Sequence, residues 1–174
     1  GHARVRLGEH EAAVLELTKA ASLRREAVEV RAELARLHER AGRAREAAAA
    51  LHELGALRPL SADEARRLGM LAAELSDHTT AAAQLAAARA AFPDDLELLS
   101  TLGAALFHAA RFADAIEPLT LLTSRKPSHP TAHALLGAAL AREGRLDEAV
   151  VALARAIARK PDERALHDQR LEAL

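Results

Sequence analysis

The chain has 174 residues with a formal net charge of −1, and 13 basic and 13 acidic residues in 1–80 against 11 and 12 in 81–174. Without a basic tract it lacks the electrostatic footprint of a nucleic-acid binder. The absence of cysteine excludes disulfides and thiolate chemistry, and no apolar run of 18 residues predicts a membrane span.

Half of the residues are hydrophobic, yet alanine alone accounts for 45 and only three are aromatic. Alanine is the strongest intrinsic helix former. Apolar residues recur at spacings of three and four, as in Leu34, Leu37, His38, Ala41 and in Leu102, Leu106, Ala109. No segment alternates persistently, so the expected class is all-α. In chain order the periodicity and its breaks predict helices near 10–24, 28–41, 44–57, 62–75, 78–91, 96–109, 112–125, 130–143, 146–159 and 163–173. Gly42, Ser76, Ala110 and Gly144 mark turns where a helix ends. Ser61 and Glu64 have the spacing of a capping box for the helix starting at Ala62. Pro118 falls inside a predicted helix, where it costs roughly 3 kcal/mol relative to alanine. A kink absorbed by packing is the expected outcome, in preference to a functional hinge.

These helices repeat. Every 34th residue from Gly1 gives Gly1, Ala35, Gly69, Gly103, Gly137; an invariant column reads Ala13, Ala47, Ala81, Ala115, Ala149. Another reads Leu17, Leu51, Leu85, Leu119, Leu153, and a fourth Arg25, Pro59, Pro93, Pro127, Pro161. Self-similarity at a fixed period of this size means stacked copies of one small unit.

The pattern resembles the tetratricopeptide repeat, a helix-turn-helix unit of 34 residues. The copy from Pro130 to Glu163 carries it most fully: Leu136-Gly137, Leu140, Gly144 to Ala149, Leu153, Ala156 and Pro161. Full copies are expected at 28–61, 62–95, 96–129 and 130–163, with a partial copy at 1–27 and a capping helix at 164–174, all in one solenoid. The resemblance implies antiparallel helix pairs stacked as a right-handed superhelix. The first-helix columns depart from the family by lacking large aromatics: they hold Arg31, Ala65, Leu99, His133 and His38, Ala72, Leu106, Leu140.

Catalytic chemistry has no constellation to stand on. There is no glycine-rich phosphate loop and no nucleophile-bearing strand-turn-helix context. His129 and His133 are four apart, but Pro130 lies between them and His133 occupies a packing column. Loop and packing roles are expected for them ahead of metal ligation. The chain is therefore expected to be no enzyme and to require no cofactor or metal.

What remains is a repeated surface. The face of each first helix opposite its packing column should line the inside of the curve. Arg36 and Arg40 lie there on the first complete copy, and Arg66, Arg67 and Met70 on the second. The third contributes Ala104, Phe107 and His108, and the fourth Leu135, Ala138 and Arg142. This face grades from arginine-bearing to apolar. Arginine forms bidentate bonds to carboxylates, and Phe107 and Leu135 can receive an apolar side chain. The expected function is a protein-interaction module that takes an extended or helical peptide with an acidic group and an apolar anchor.

Some relatives clamp a terminal carboxylate with lysine and asparagine; the matching positions here are Ala32, Arg36, Ser100 and Ala104, which argues against that kind of chaperone adaptor. The alternative is a structural assembly module or a regulatory arm of a larger protein. The register begins inside a repeat, so helix 10–24 is expected to leave Val14, Leu15 or Leu17 open and to promote self-association. Gly1-His2 has the look of an expression scar, with natural sequence expected before it. No signal-peptide pattern is present, but with the N-terminus expected to be truncated this says little about localisation, for which a cytoplasmic setting is the favoured expectation.

Overall fold

The computed structural model describes residues 11–18 and 28–159. Residues 11–18 are helical and form α1. Eight further helices follow: α2 Val28–Arg40, α3 Ala44–Leu57, α4 Ala62–Glu74, α5 His78–Ala88, α6 Leu96–His108, α7 Phe112–Arg125, α8 Pro130–Arg142 and α9 Leu146–Arg159. A 3-10 turn, Arg89–Ala91, extends α5. No strand occurs among the described residues. From α2 onward these spans agree with the sequence expectation to within a residue or so, apart from the tightening at the end of α5; of the helix expected near 10–24, residues 11–18 are described and the rest lies outside the described residues. The helix expected near 163–173 lies outside the described residues.

The helix starts follow from side-chain chemistry. Ser61 and Glu64 form the reciprocal capping box of α4. Asp77 and Asp95 accept from the backbone N–H groups of Thr80 and Leu98, capping α5 and α6. His129 caps α8, with Nδ1 accepting from the Ala132 N–H at 3.2 Å.

The ends of the first helices share one device. Gly42, Ser76, Ala110 and Gly144 have φ of 68°, 62°, 58° and 75°. At each, the residue itself and the next one donate back into the last turn; Ala110 N–H bonds Phe107 C=O and Arg111 N–H bonds Leu106 C=O. This double bond pattern is the Schellman stop, which satisfies carbonyls the helix leaves open.

The fold is all-α, a right-handed superhelix of antiparallel pairs: α2 with α3, α4 with α5, α6 with α7, α8 with α9. Each pair closes on the repeating columns. Ala47, Ala81, Ala115 and Ala149 are fully buried, as are Leu51, Leu85 and Leu119, with Leu153 almost so. Gly69, Gly103 and Gly137 lie beneath Leu85, Leu119 and Leu153; a Cβ on them would meet leucine carbons at 2.6, 2.5 and 2.6 Å. Any side chain at these positions would hold the two helices apart.

One apolar core runs from α4 to α9, and a second holds α2, α3 and Leu68. Leu60 touches both. Val14 and Leu17 of α1 pack on the second core, whereas Leu15 is 57% exposed. Pro118 is fully buried within an α7 that continues through it, consistent with absorption by packing.

Candidate functional site

Curvature decides which surfaces can bind. First helices touch one another in sequence, α4 on α6 and α6 on α8, while no comparable contact joins α5 to α7 or α7 to α9. The first helices thus form the tighter inner layer and the second helices splay apart outside. The concave face is a nearly continuous surface, and clefts open on the convex one.

On the concave face the arginines differ in what holds them. Arg36 is exposed, with Nη1 3.2 Å from Glu33 one turn back. Arg40 is exposed and makes no ion pair among the described residues. Arg66 is pinned: its Nε donates to Asp95 at 2.7 Å and its Nη2 to Glu97 at 3.2 Å, with its Cζ 5.9 Å from the Phe92 ring centroid. The Asp95 hydrogen bond raises the Arg66 pKa above its ordinary value, against the effect of desolvation. Arg67 reaches back to α2, its Nε 3.0 Å from both oxygens of Glu39 and its Nη2 2.8 Å from Oε1. Arg66 and Arg67 therefore tie α4 to its two neighbouring first helices.

The apolar part behaves differently. Met70, Ala104, Phe107, Leu135 and Ala138 are all half-buried, and Met70, Phe107 and Leu135 rest on the core. They form a strip across α4, α6 and α8 that no described element covers. Phe107 stands edge-on to Phe112 with centroids 5.3 Å apart, and the Arg142 guanidinium lies 5.3 Å from the Phe112 centroid. His108 stacks on His78 at 4.8 Å. Phe107, His108 and Arg142 thus meet along one edge through Phe112 and His78, two residues the helical-face reading did not single out.

Two further histidines, His129 and His133, serve capping and packing. His133 is 3% exposed with Nε2 3.0 Å from the Pro127 carbonyl oxygen. No group of three metal-ligating side chains is placed to hold an ion among the described residues. The most perturbed carboxylate is structural: Arg58 clamps Glu64 through bonds of 2.7 and 2.8 Å and, with the Ser61 N–H and hydroxyl, holds its pKa down to about 2 against the effect of burial.

Among the described residues, clefts open on the convex face in two positions 68 residues apart. One, of about 500 Å³, lies between α7 and α9 above Leu136 and Leu140 of α8. The other, of about 410 Å³, lies between α3 and α5 above Ala65 and Leu68 of α4. Between them, in the equivalent place across α5 and α7, Leu99 of α6 is buried on the floor, Pro118 is buried in the α7 wall and Arg89 bridges to Glu117. The signal was present in the columns: where the closed position has Arg89, Glu117 and Leu121, the α7/α9 position has Thr123, Val151 and Arg155.

Stacked antiparallel helix pairs with an open concave face define a helical repeat solenoid. The tetratricopeptide repeat model matches residues 66–122 and 119–164, more than half of the chain, and the chain belongs to that family. Among solved structures it is similar to YrrB, described as a tetratricopeptide-repeat protein with an unusual peptide-binding site. That match has 22% identity and a TM-score of 0.71, covering 95% of this chain and 86% of the other. It is also similar to MamA of MSR-1, at 22% identity and TM-score 0.69 over 84% of each chain. MamA of AMB-1 matches at 24% identity and TM-score 0.66, over 78% of this chain and 74% of that one. At these identities the likeness speaks to the fold. No curated protein sequence matches the chain.

Proposed function

We propose that the chain is a non-enzymatic interaction module that binds an extended or helical peptide along its concave face. The observation that carries this reading is the half-exposed apolar strip of Met70, Phe107 and Leu135, flanked by Ala104 and Ala138 and open to solvent on three successive first helices. Its cationic partners are Arg36 and Arg40 at one end and Arg142 at the other, because these guanidiniums remain exposed. Arg66, Arg67 and His108 border the same groove. A peptide with an apolar anchor and an acidic group matches this lining, since a carboxylate pairs with arginine and an apolar side chain completes the burial of Phe107 and Leu135. The peptide-binding site of YrrB, on a similar fold, supports the reading.

The test is a pull-down with the whole chain, mapping of the recovered partner to a peptide, and titration of that peptide against Phe107→Ala, Leu135→Ala and Arg40→Ala. Tenfold weaker binding in the first two supports the groove; unchanged affinity in all three removes it. Self-association is the second reading, and exposed Leu15 on α1 is the observation behind it. Sedimentation of wild type and Leu15→Glu separates the two, because only assembly through α1 makes mass depend on that residue.

A further inference from the structure

The repeats of this solenoid are joined unevenly. Between the pair α4–α5 and the pair α6–α7, three arginines cross. Arg66 reaches Asp95 and Glu97 on the concave side, Arg89 reaches Glu117 on the convex side, and Arg125 reaches Asp94 and the Pro93 carbonyl at the connecting loop. One repeat earlier, the same three columns hold Ala32, Gly55 and Ala91. Floor and wall shrink in step, with Ala65, Ala72 and Ala87 in the columns of Leu99, Leu106 and Leu121. The cleft of about 410 Å³ between α3 and α5 lies at this place. Among the described residues no arginine–carboxylate pair bridges α3 to α5.

The apolar core parts at the same junction. Helices α4 to α9 share one core, while α2 and α3 have the other, on which Val14 and Leu17 of α1 also pack. First helix α4 touches α6, and α6 touches α8, but α2 makes no comparable contact with α4. The cleft between α7 and α9 has no such break beneath it, because there the core continues and α8 rests on α6. Two attachments hold the α1–α3 unit. Beside the α3–α4 turn, Arg58 clamps Glu64 through bonds of 2.8 and 2.7 Å, and Leu60 and Leu68 join the two cores. On the concave side, Arg67 of α4 reaches Glu39 of α2 at 3.0 Å. Repeats in a solenoid contact only their neighbours, so the junction with the fewest attachments is where it yields first.

We propose that α1–α3 form an arm hinged at the α3–α4 turn, with the Arg67–Glu39 pair as its latch. The arrangement is a lever. Helices α2 and α3 lie on opposite sides of the pivot, so swinging α3 into the cleft toward α5 lifts α2 away from α4. With the latch formed, the arm is held against the concave side and the convex cleft stays open. When the latch breaks, α3 settles toward Ala65 and Ala87 and the concave face opens between α2 and α4. This motion sets the distance from Arg36 and Arg40 on the arm to Phe107 and Leu135 beyond it. That consequence rests on the concave-groove reading; the hinge itself does not.

The test is the distance between two nitroxide labels on the whole chain, free of any peptide, read by double electron–electron resonance. The chain has no cysteine, so introduced cysteines alone take the labels. Glu29→Cys with Thr131→Cys spans the hinge; Asp63→Cys with Thr131→Cys does not, and all three positions are exposed in one repeat column. The spanning pair is expected to give a distance distribution at least about twice as wide as the control pair. Glu39→Ala should shift the spanning pair to longer distance and leave the control pair in place. The double variant Gly55→Arg, Ala83→Glu copies the Arg89–Glu117 bridge across the open cleft, and should narrow the spanning pair to the width of the control. Added to Glu39→Ala, the same bridge should change the spanning distance again with helix content unaltered by circular dichroism, which separates a swinging arm from a melted one. Equal widths for the two label pairs, no shift with Glu39→Ala, or a bridge that leaves the spanning pair broad would overturn the proposal. Because no peptide is present, these outcomes stand apart from the success or failure of the groove titration.

Discussion

Gly103 of α6 and Leu119 of α7 occupy one space: a Cβ on the glycine would stand 2.5 Å from the leucine Cδ2. The helix pair closes to this distance only because position 103 has no side chain. Gly103→Ala gains about 1 kcal/mol of intrinsic helix propensity, but overpacking at so close a contact costs about 1–3 kcal/mol. Net destabilisation is expected in urea unfolding, larger still for Gly103→Leu. In a Leu119→Ala background Gly103→Ala should cost less, and the double-mutant cycle measures that coupling. Equal cost in both backgrounds would remove Leu119 as the cause.

The four stops of the first helices invite a stabilising change. Ser76 and Ala110 have φ of 62° and 58°, in the left-handed region where Gly42 and Gly144 sit at the same place in their repeats. A Cβ there costs about 1 kcal/mol that glycine avoids. Ser76→Gly and Ala110→Gly are each expected to raise stability by roughly 0.5–1 kcal/mol, partly offset by the greater freedom of glycine in the unfolded chain. A higher urea midpoint with an unchanged slope is the measurement that checks it.

Glu64 ties stability to acid. Its pKa is held from 4.5 down to about 2, chiefly by the Arg58 hydrogen bonds and then, against burial, by Ser61. A depressed carboxylate contributes stability fully above its unfolded value and loses it as pH falls through the folded one. Glu64→Gln should therefore cost on the order of 1–3 kcal/mol at pH 7. The difference between variant and wild type should shrink between pH 4.5 and about 2. A pH-independent difference would mean that the carboxylate's charge is irrelevant and only its shape matters.

Helix boundaries were legible because they depend on residues close in sequence: Ser61 with Glu64, or Ala110 with the turn it ends. The close contacts of Gly69, Gly103 and Gly137 were legible as a column. The fate of the concave arginines was not. A helical-face reading places Arg66 and Arg67 in the groove, but their carboxylate partners stand 28 to 31 residues away on other helices. The convex clefts escaped for a related reason. Their opening depends on how far second helices splay, although the contrast between Arg89–Glu117 and Thr123–Val151 lay in adjacent copies of the repeat.

The concave arginines give the last prediction, because they separate folding from binding. Arg67 and Glu39 are 17% and 27% exposed at the side chain, so removing one charge strands a partly buried partner. Arg67→Ala is expected to destabilise by about 1–3 kcal/mol and to loosen the stacking of α2 on α4. Any loss of peptide affinity in that variant mixes a displaced helix with a lost contact. Arg40 is exposed without an ion pair among the described residues, so Arg40→Ala should change stability by no more than about 0.5 kcal/mol. If the groove binds an acidic peptide, Arg40→Ala weakens it by about 0.2–1 kcal/mol, and raised salt erases the difference from wild type. Phe107→Ala lowers affinity by at least about 1 kcal/mol at every ionic strength. Calorimetric titration of the mapped peptide at two salt concentrations, beside urea unfolding of each variant, distinguishes these cases. An Arg40 effect insensitive to salt, or a Phe107 effect fully accounted for by lost stability, would move the binding surface away from the concave face.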